Sequence, residues 1–341
     1  MKKVKRIIRC VLIVVLISLI LTHYLEGFET RLLSPFRELI YFGAESNIRN
    51  EDIIKNTYYK FYDEPQVNPV HVAQQVKSEI TKIFQNKKLT KQEMENIITV
   101  ADFLINYKND FEYEGIEYSM WPYNFDYPTY ELKAPWYSAM AQGLGIEVLI
   151  AAYKITDDDK YLHEARLAAN ALLVPIEENG VAIYLNNGDN GIWFEEYAKK
   201  TVEPPMVLNG HNFALIGIEK LLLYDETYIE LYRKGIKALE YKLPCFDAKV
   251  WSRYDLVKLM ANPSYQQIHI NQLKYLGEKN NNEILLSYAR KFTYQKYIPL
   301  GATYRLLFYR HNSIVLCFLI NTVLVFLGLI LVKTLHKIVR V

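Results

Sequence analysis

Two apolar runs close off the ends of this chain and confine any folded body to what lies between them. The first, "IIRCVLIVVLISLIL" at 7–21, follows the basic "MKKVKR" and is interrupted only by Arg9 and Ser18. No small-residue A-x-A cleavage site follows it, so it reads as an uncleaved transmembrane signal anchor over residues 7–23. The second, "SIVLCFLINTVLVFLGLILV" at 313–332, has about the ~20 residues that a bilayer-spanning helix needs. Lys333, His336, Lys337 and Arg340 follow it.

Basic residues outside both runs place both termini in the cytoplasm and the body between them on the far side. Arg305 and Arg310 pull against that orientation without reversing it. A buried hairpin of two core helices is the alternative. The only Asn-x-Ser/Thr sequon begins at Asn262, where Pro263 forbids glycosylation, which favours a bacterial envelope over a secretory lumen.

Composition removes several function classes. A net charge of +2 on 341 residues lacks the basic footprint of a nucleic-acid binder. Of three cysteines, Cys10 and Cys317 fall in the apolar runs, which leaves neither a disulfide framework nor a Cys-based zinc site. Tyrosine stands out at 28 residues against 15 Phe and 4 Trp. A flat apolar face joined to a hydroxyl suits a carbohydrate groove; ordinary packing accounts for it equally well.

Along the body, helical periodicity runs from Glu51 to about Tyr107, with Thr90 and Glu93 set as an N-cap and capping box. Lys108 to Pro135 is rich in Tyr, Trp, Pro and acids and reads as irregular or strand-containing. "SAMAQGLGIEVLIAAYKIT" and "DDKYLHEARLAANALLV" form a helical hairpin, stopped at Pro175. "GVAIYL" is a short strand, turned by "NNGDNG" into "NGIWFEEYAKK". Helices resume at "GHNFALIGIEKLLLY" and "ETYIELYRKGIKALEYKL", the latter ended by Pro244.

The fold this predicts is mainly α: an (α/α) toroid or barrel of helical hairpins with short β excursions, flanked by N- and C-terminal transmembrane helices. The expected divisions are basic tails at 1–6 and 333–341, spans at 7–23 and 313–332, a helical N-terminal region at 24–100, the main helical domain at 101–300 and a juxtamembrane segment at 301–312.

Glu195 and Glu196 would ordinarily be a solvated acid pair. Here Trp193, Phe194 and Tyr197 flank them just after a strand and turn, where desolvation raises a carboxyl pKa and makes a competent base. "NNGDNG" lacks the alternate carboxylates and distal Glu of a calcium loop and is read as a turn. Downstream, Tyr254, Tyr265 and His269 follow the Pro244 break; a tyrosine tuned by a neighbouring charge serves as acid or base.

At this point a resemblance emerges. "PWYSAMAQG" (135–143), "YLHEAR", "GV", "WFEEY" (193–197), "VLNGHNFALIGI" (207–218), "LPCFD" (243–247), "RYDL" (253–256) and "HINQL" (269–273) occur in the order and spacing of the C-terminal catalytic domain of the D-glucuronyl C5-epimerases. The chain resembles that family over roughly residues 100–300. The resemblance implies conversion of D-glucuronate to L-iduronate within a heparan- or heparosan-type polymer, at the bottom of a toroid cleft, without metal or other cofactor. The family's essential acid and its neighbouring tyrosine fall on Glu196 and Tyr197, and its further essential tyrosines on Tyr254 and Tyr265. Two departures stand out. Residues 24–100 are too short and helical to reproduce the β-rich domain of the animal enzymes. "WYEEYP" is "WFEEYA" here, and His211 replaces an apolar residue.

Epimerisation needs one group on each face of the sugar. Glu196 and Tyr265 are expected to flank C5, with Tyr197 and Tyr254 positioning them. Asn209, His211, Arg253 and His269 are candidates to hold the uronate carboxylate, and Tyr137, Gln142, Trp193 and Asn271 are further candidate substrate contacts. The implied partners are a glucuronate-containing polysaccharide and the lipid bilayer through two spans, with a homodimer as a candidate assembly and no nucleic acid. The rival readings are a uronate polysaccharide lyase on the same fold and a membrane-held glycan-binding protein without turnover.

Overall fold

The computed structural model describes residues 2–33, 46–47, 57–58, 66–200, 202–309 and 312–339. The expected helix from Glu51 lies partly outside these, at 51–56 and 59–65, and is corrected at Thr57–Tyr58, which form a short strand paired antiparallel with Ser46–Asn47. Helix α1 spans Lys2–Leu32, and the body opens with α2 (Pro69–Gln74), α3 (Lys77–Phe84) and α4 (Lys91–Tyr107). Asn68 caps α2 ahead of Pro69. Thr90 and Glu93 form the expected capping box on α4, satisfying otherwise orphaned N–H groups.

Two antiparallel hairpins follow at different points in the chain. One pairs Asn109–Tyr113 with Ile116–Met120. The other pairs Ala182–Tyr184 with Ile192–Phe194, and its loop holds Asn186, Asn187, Gly188 and Gly191 at positive φ. Between the hairpins lie α5 (Ala139–Thr156) and α6 (Asp159–Asn170). The helices α7 (Leu208–Leu221), α8 (Ile229–Lys242), α9 (Pro263–Lys279), α10 (Glu283–Gln295), α11 (Gly301–Phe308) and α12 (Asn312–Val339) complete the chain.

The body is mainly helical and layered. Every residue from Ala139 to Ala152 of α5 is buried, including Glu147, whose carboxylate takes the Lys77 ammonium at 2.8 Å. An α-helix apolar on all sides belongs in an interior. It packs on α7 through facing glycines: a Cβ at Gly143 would lie 2.3 Å from the Phe213 carbonyl oxygen, and one at Gly217 would lie 2.3 Å from the Gly143 oxygen. Gly143→Ala is therefore expected to destabilise the fold by about 1–3 kcal/mol, because backbone cannot yield as a flexible side chain does. Thermal unfolding measures this; an unchanged midpoint would contradict the close helix contact.

The ends correct an expectation. Among the described residues one helix is long and apolar enough to cross a membrane, within Ser313–His336, where two spans were expected. The apolar stretch of α1 falls short of the ~20 residues a span requires. The helix then runs past the expected boundary at residue 23 and docks on the body through polar groups. Glu26 accepts two hydrogen bonds from the Arg305 guanidinium, at 2.9 and 2.6 Å, and Tyr24 donates to the Tyr297 carbonyl at 2.8 Å. His23 Nε2 lies 2.9 Å from the Lys296 carbonyl. No feature of the described residues supports the expected homodimer.

Candidate active site

The helices α2, α5, α7 and α9 each contribute residues to a cavity of about 400 Å³, lined among others by His71, Met140, Phe213 and Tyr265. That volume falls in the usual range for ligand sites. Glu196, Tyr197 and Asn209 enter it from one side, and Tyr123, Tyr127 and Trp136 add aromatic faces.

Backbone pairing sets the position of Glu196. The strand ending at Phe194 continues as Glu195, whose N–H donates to the Val181 carbonyl at 2.8 Å. On the other side, Ala139 N–H donates to the Glu195 carbonyl at 2.8 Å and Ala198 N–H to the Tyr137 carbonyl at 3.0 Å. Successive side chains of an extended segment point opposite ways, so the two glutamates part company. Glu195 turns inward, fully buried, and accepts from the Tyr197 and Met206 N–H groups at 3.1 and 2.8 Å. Glu196 faces the cavity.

Around the Glu196 carboxyl, Tyr254 OH donates to Oε1 at 3.2 Å and Asn209 Nδ2 to Oε2 at 3.4 Å. Tyr197 OH is 3.2 Å from Tyr254 OH, and the Tyr254 ring meets the Tyr265 ring edge-on at 4.6 Å. Tyr197 itself is stacked on Tyr127, with ring centroids 5.4 Å apart. Burial pushes the Glu196 carboxyl up to about 8, against the hydrogen bonds of the neighbouring phenols, with the Glu195 charge adding to the rise. Glu195 is raised to about 7, again by burial, with its N–H donors holding it back. Burial also carries Tyr197 and Tyr254 well above the ordinary phenol value, the nearby Glu196 charge reinforcing it. Glu196, Tyr254 and Tyr197 form one hydrogen-bonded chain, and Glu195 acts on it through its charge.

The structure thus brings together Glu196, Tyr197, Tyr254, Tyr265 and Asn209, and separates the other candidates from them. His211 corrects its expected role: it is fully buried in α7, accepts from Phe194 N–H at Nδ1 (2.9 Å) and bonds the Gly235 carbonyl through Nε2 (3.1 Å). Burial lowers its pKa to about 3, so it is a neutral core histidine with both nitrogens in use. Trp193 is equally internal, stacked on His211 at 4.1 Å. Gln142 Nε2 bridges the Ser119 and Ala168 carbonyls inside the core. His269, lowered to about 3 by burial, sits against Ser252 Oγ at 2.9 Å. Tyr137 pairs its backbone with Ala198 and so aligns the Glu196 segment from outside the cavity. Asn271 lies on the exposed face of α9, bonded to Gln267. Arg253 donates to Tyr309 OH at 2.7 Å, away from Glu196.

Sequence reasoning missed His71 and Asn68, which line the cavity, and Asp255, which was quoted only within "RYDL". Asp255 is a clamp: Oδ1 gathers the N–H groups of Val257, Lys258 and Leu259, while Oδ2 takes Tyr130 OH at 2.5 Å. Its signal was an Asx-turn pattern, not a catalytic one. Among the described residues no group of three or more His, Cys, Asp or Glu could hold a metal ion.

A buried carboxyl linked to phenols thus stands at the wall of an aromatic-lined cleft. Residues 114–294 match the family model of the D-glucuronyl C5-epimerase C-terminus, and the chain belongs to that family. An uncharacterized protein of Methanocaldococcus jannaschii is 33% identical over 242 residues, covering 67% of this chain and 77% of that one. A D-glucuronyl C5-epimerase of Caenorhabditis elegans is 33% identical over 183 residues, covering 47% of this chain but 29% of the nematode enzyme. Among solved structures, a GH76 alpha-mannanase of Bacteroides thetaiotaomicron superposes with a TM-score of 0.41 at 14% identity, covering 82% of this chain and 72% of that one. That superposition is too loose to argue from.

Proposed function

We propose that this chain is a polysaccharide D-glucuronyl C5-epimerase, converting D-glucuronate to L-iduronate within a heparosan-like polymer. The observation that carries the reading is the buried Glu196 carboxyl, bonded to Tyr254 and Asn209 and facing a cavity that Tyr265 also lines. In this reading α2, α5, α7 and α9 are inner helices of an (α/α) toroid. The apolar helix within Ser313–His336 tethers the enzyme to a membrane.

The C5 proton lies α to a carboxylate, and its removal builds a second negative charge that must meet preorganised donors. Glu196 takes the proton as base, and Tyr265 returns one from the opposite face. Their roles exchange in the reverse direction. Tyr254 and Tyr197 stabilise the changing charge on Glu196 through the phenol chain. Asn209 and His71 both line the cavity with Glu196, which supports them as contacts for the uronate carboxylate; burial lowers the His71 pKa, so its ring is largely uncharged near neutrality.

The pH dependence tests the assignment. Glu196 is a base only when ionised, and its pKa is raised to about 8 from 4.5. The rate of C5 exchange on heparosan is therefore expected to climb with pH to an inflection near 8 in kcat/KM. An inflection near 4.5, with a flat profile above it, would contradict the raised Glu196 pKa, and a profile with no inflection from about pH 4 to 9 would remove Glu196 from the role. Accumulation of an unsaturated, ultraviolet-absorbing uronate with shortened chains would instead identify a lyase.

A further inference from the structure

Tyr254 and Tyr265 sit on different elements, and a buried node of polar side chains joins those elements. Tyr254 lies in the loop after Pro244, where antiparallel bridges pair Asp247 with Ser252 and Arg253 with Met260. Tyr265 lies in the first turn of α9. Ser252, two residues before Tyr254, meets Gln266 and His269 of α9. Its N–H and Oγ reach Gln266 Oε1 at 3.1 and 2.6 Å, and Oγ lies 2.9 Å from His269 Nδ1. All three side chains are buried.

The proton directions in this node follow from its chemistry. Gln266 Nε2 donates to the Phe292 carbonyl at 3.0 Å, so the amide oxygen is the atom facing Ser252, and it can only accept. At 2.6 Å the Ser252 hydroxyl donates to that oxygen, because two lone pairs so close would repel. With its one proton spent, Oγ accepts from His269, whose Nδ1 therefore carries the hydrogen. His269 Nε2 is left as a bare lone pair in the core, with no hydrogen-bond partner among the described residues. Burial lowers the His269 pKa to about 3 and keeps that nitrogen unprotonated. The bonds run one way, from His269 through Ser252 and Gln266 to Phe292, and this direction admits one arrangement of the joint.

The joint bears on the site through Tyr254. Its hydroxyl donates to Glu196 Oε1 at 3.2 Å, its carbonyl accepts from Leu208 N–H at 3.2 Å, and its ring meets Tyr265 edge-on at 4.6 Å. A shift of Ser252 away from α9 moves this phenol relative to both Glu196 and Tyr265. We infer that Ser252, Gln266 and His269 are positioning residues that set the separation of Tyr254 from Tyr265 and keep the Tyr254 hydroxyl on Glu196. Their effect on turnover rests on the epimerase reading, whereas their effect on Glu196 does not.

The test therefore reads Glu196 directly. The titratable groups around its carboxyl are Glu195 and Tyr197 on its own segment, Tyr254 and Asp255 on the loop, Tyr130, and His71 and Tyr265, which line the same cavity. Of these, Tyr197 and Tyr254 hold its pKa down through hydrogen bonds. The full chain in detergent micelles, isotope-labelled at its glutamate carboxyls, is titrated by carbon NMR, with Glu196→Gln assigning the signal. Ser252→Ala is expected to raise the Glu196 midpoint by about one pH unit, the effect of losing one hydrogen bond to a carboxylate. It is also expected to lower kcat for C5 exchange on the order of tenfold with KM little changed. An unchanged midpoint in folded Ser252→Ala overturns the inference. Nitrogen NMR of the wild-type histidines needs no variant: His269 is expected as the Nδ1–H tautomer, and an Nε2–H ring overturns the node. A raised midpoint where the wild-type chain exchanges no C5 proton keeps the inference and sinks the epimerase reading.

Discussion

Glu196→Gln is expected to reduce C5 proton exchange by roughly 10²–10⁴-fold, the usual contribution of a positioned acid or base, while the chain still folds. Gln preserves the shape of the side chain, and its amide oxygen can keep one of the two donated bonds from Tyr254 and Asn209. Its NH₂ meets the other donor, at a cost of about 1–3 kcal/mol. Against that loss stands the removal of a buried titrating acid. The Glu196 pKa is about 8 in the fold and 4.5 in its absence, so the native chain holds a proton that the unfolded chain releases. Stability is therefore fullest below 4.5 and declines as pH rises toward 8, and Glu196→Gln flattens that decline. Exchange that survives the substitution within tenfold, measured alongside thermal unfolding at several pH values, would remove Glu196 from the chemistry.

Gly210→Ala is expected to disable the same carboxyl without touching it chemically. Gly210 lies in α7 directly under Glu196, and an added Cβ would stand 2.4 Å from Oε2 and 2.6 Å from the Glu196 Cβ. The tip of the side chain can swing away, but its Cβ is fixed to the paired backbone of the 195–198 segment. Glu196 must shift, and a displacement near 1 Å in a catalytic group costs about 10²-fold in rate. The overpacking itself is expected to destabilise by about 1–3 kcal/mol, leaving a folded protein whose C5 exchange is nearly lost. Wild-type exchange in this variant would mean that the carboxyl has room that the packing does not show.

Local signals carried the body of the fold. The Thr90–Glu93 capping box, the α5–α6 hairpin and the hairpin through "NNGDNG" each depend on residues close in sequence, and each appears where periodicity and turn chemistry put it. The N-terminal run was misread as a full span although it offers only the stretch from Ile7 to Leu21, with Arg9 inside it, and the same helix goes on to polar contacts with the body. The Glu26–Arg305 pair joins residues far apart in the chain, and no window on residues 7–23 contains it.

The site divides along the same line. The aromatic flank of "WFEEY" singled out a stretch that lines the cavity, but which glutamate faces it is decided by strand pairing with Val181 and Ala139. His211 and His269 carry the residue type of a ligand and the burial of a core; only their neighbours, Gly235 and Phe194 for one and Ser252 for the other, tell the two apart. His71 was overlooked because it lies outside the resembling motifs, on a short helix that reaches the cavity only through tertiary packing against α5.

The most direct test of the central claim is incubation of the full chain with unsulfated heparosan in deuterated water, followed at C5 by NMR. The account predicts deuterium at C5 of glucuronate, new iduronate signals and chains of unchanged length, all absent with Glu196→Gln. Heparosan that binds yet keeps its C5 protons, with no iduronate formed, would contradict it.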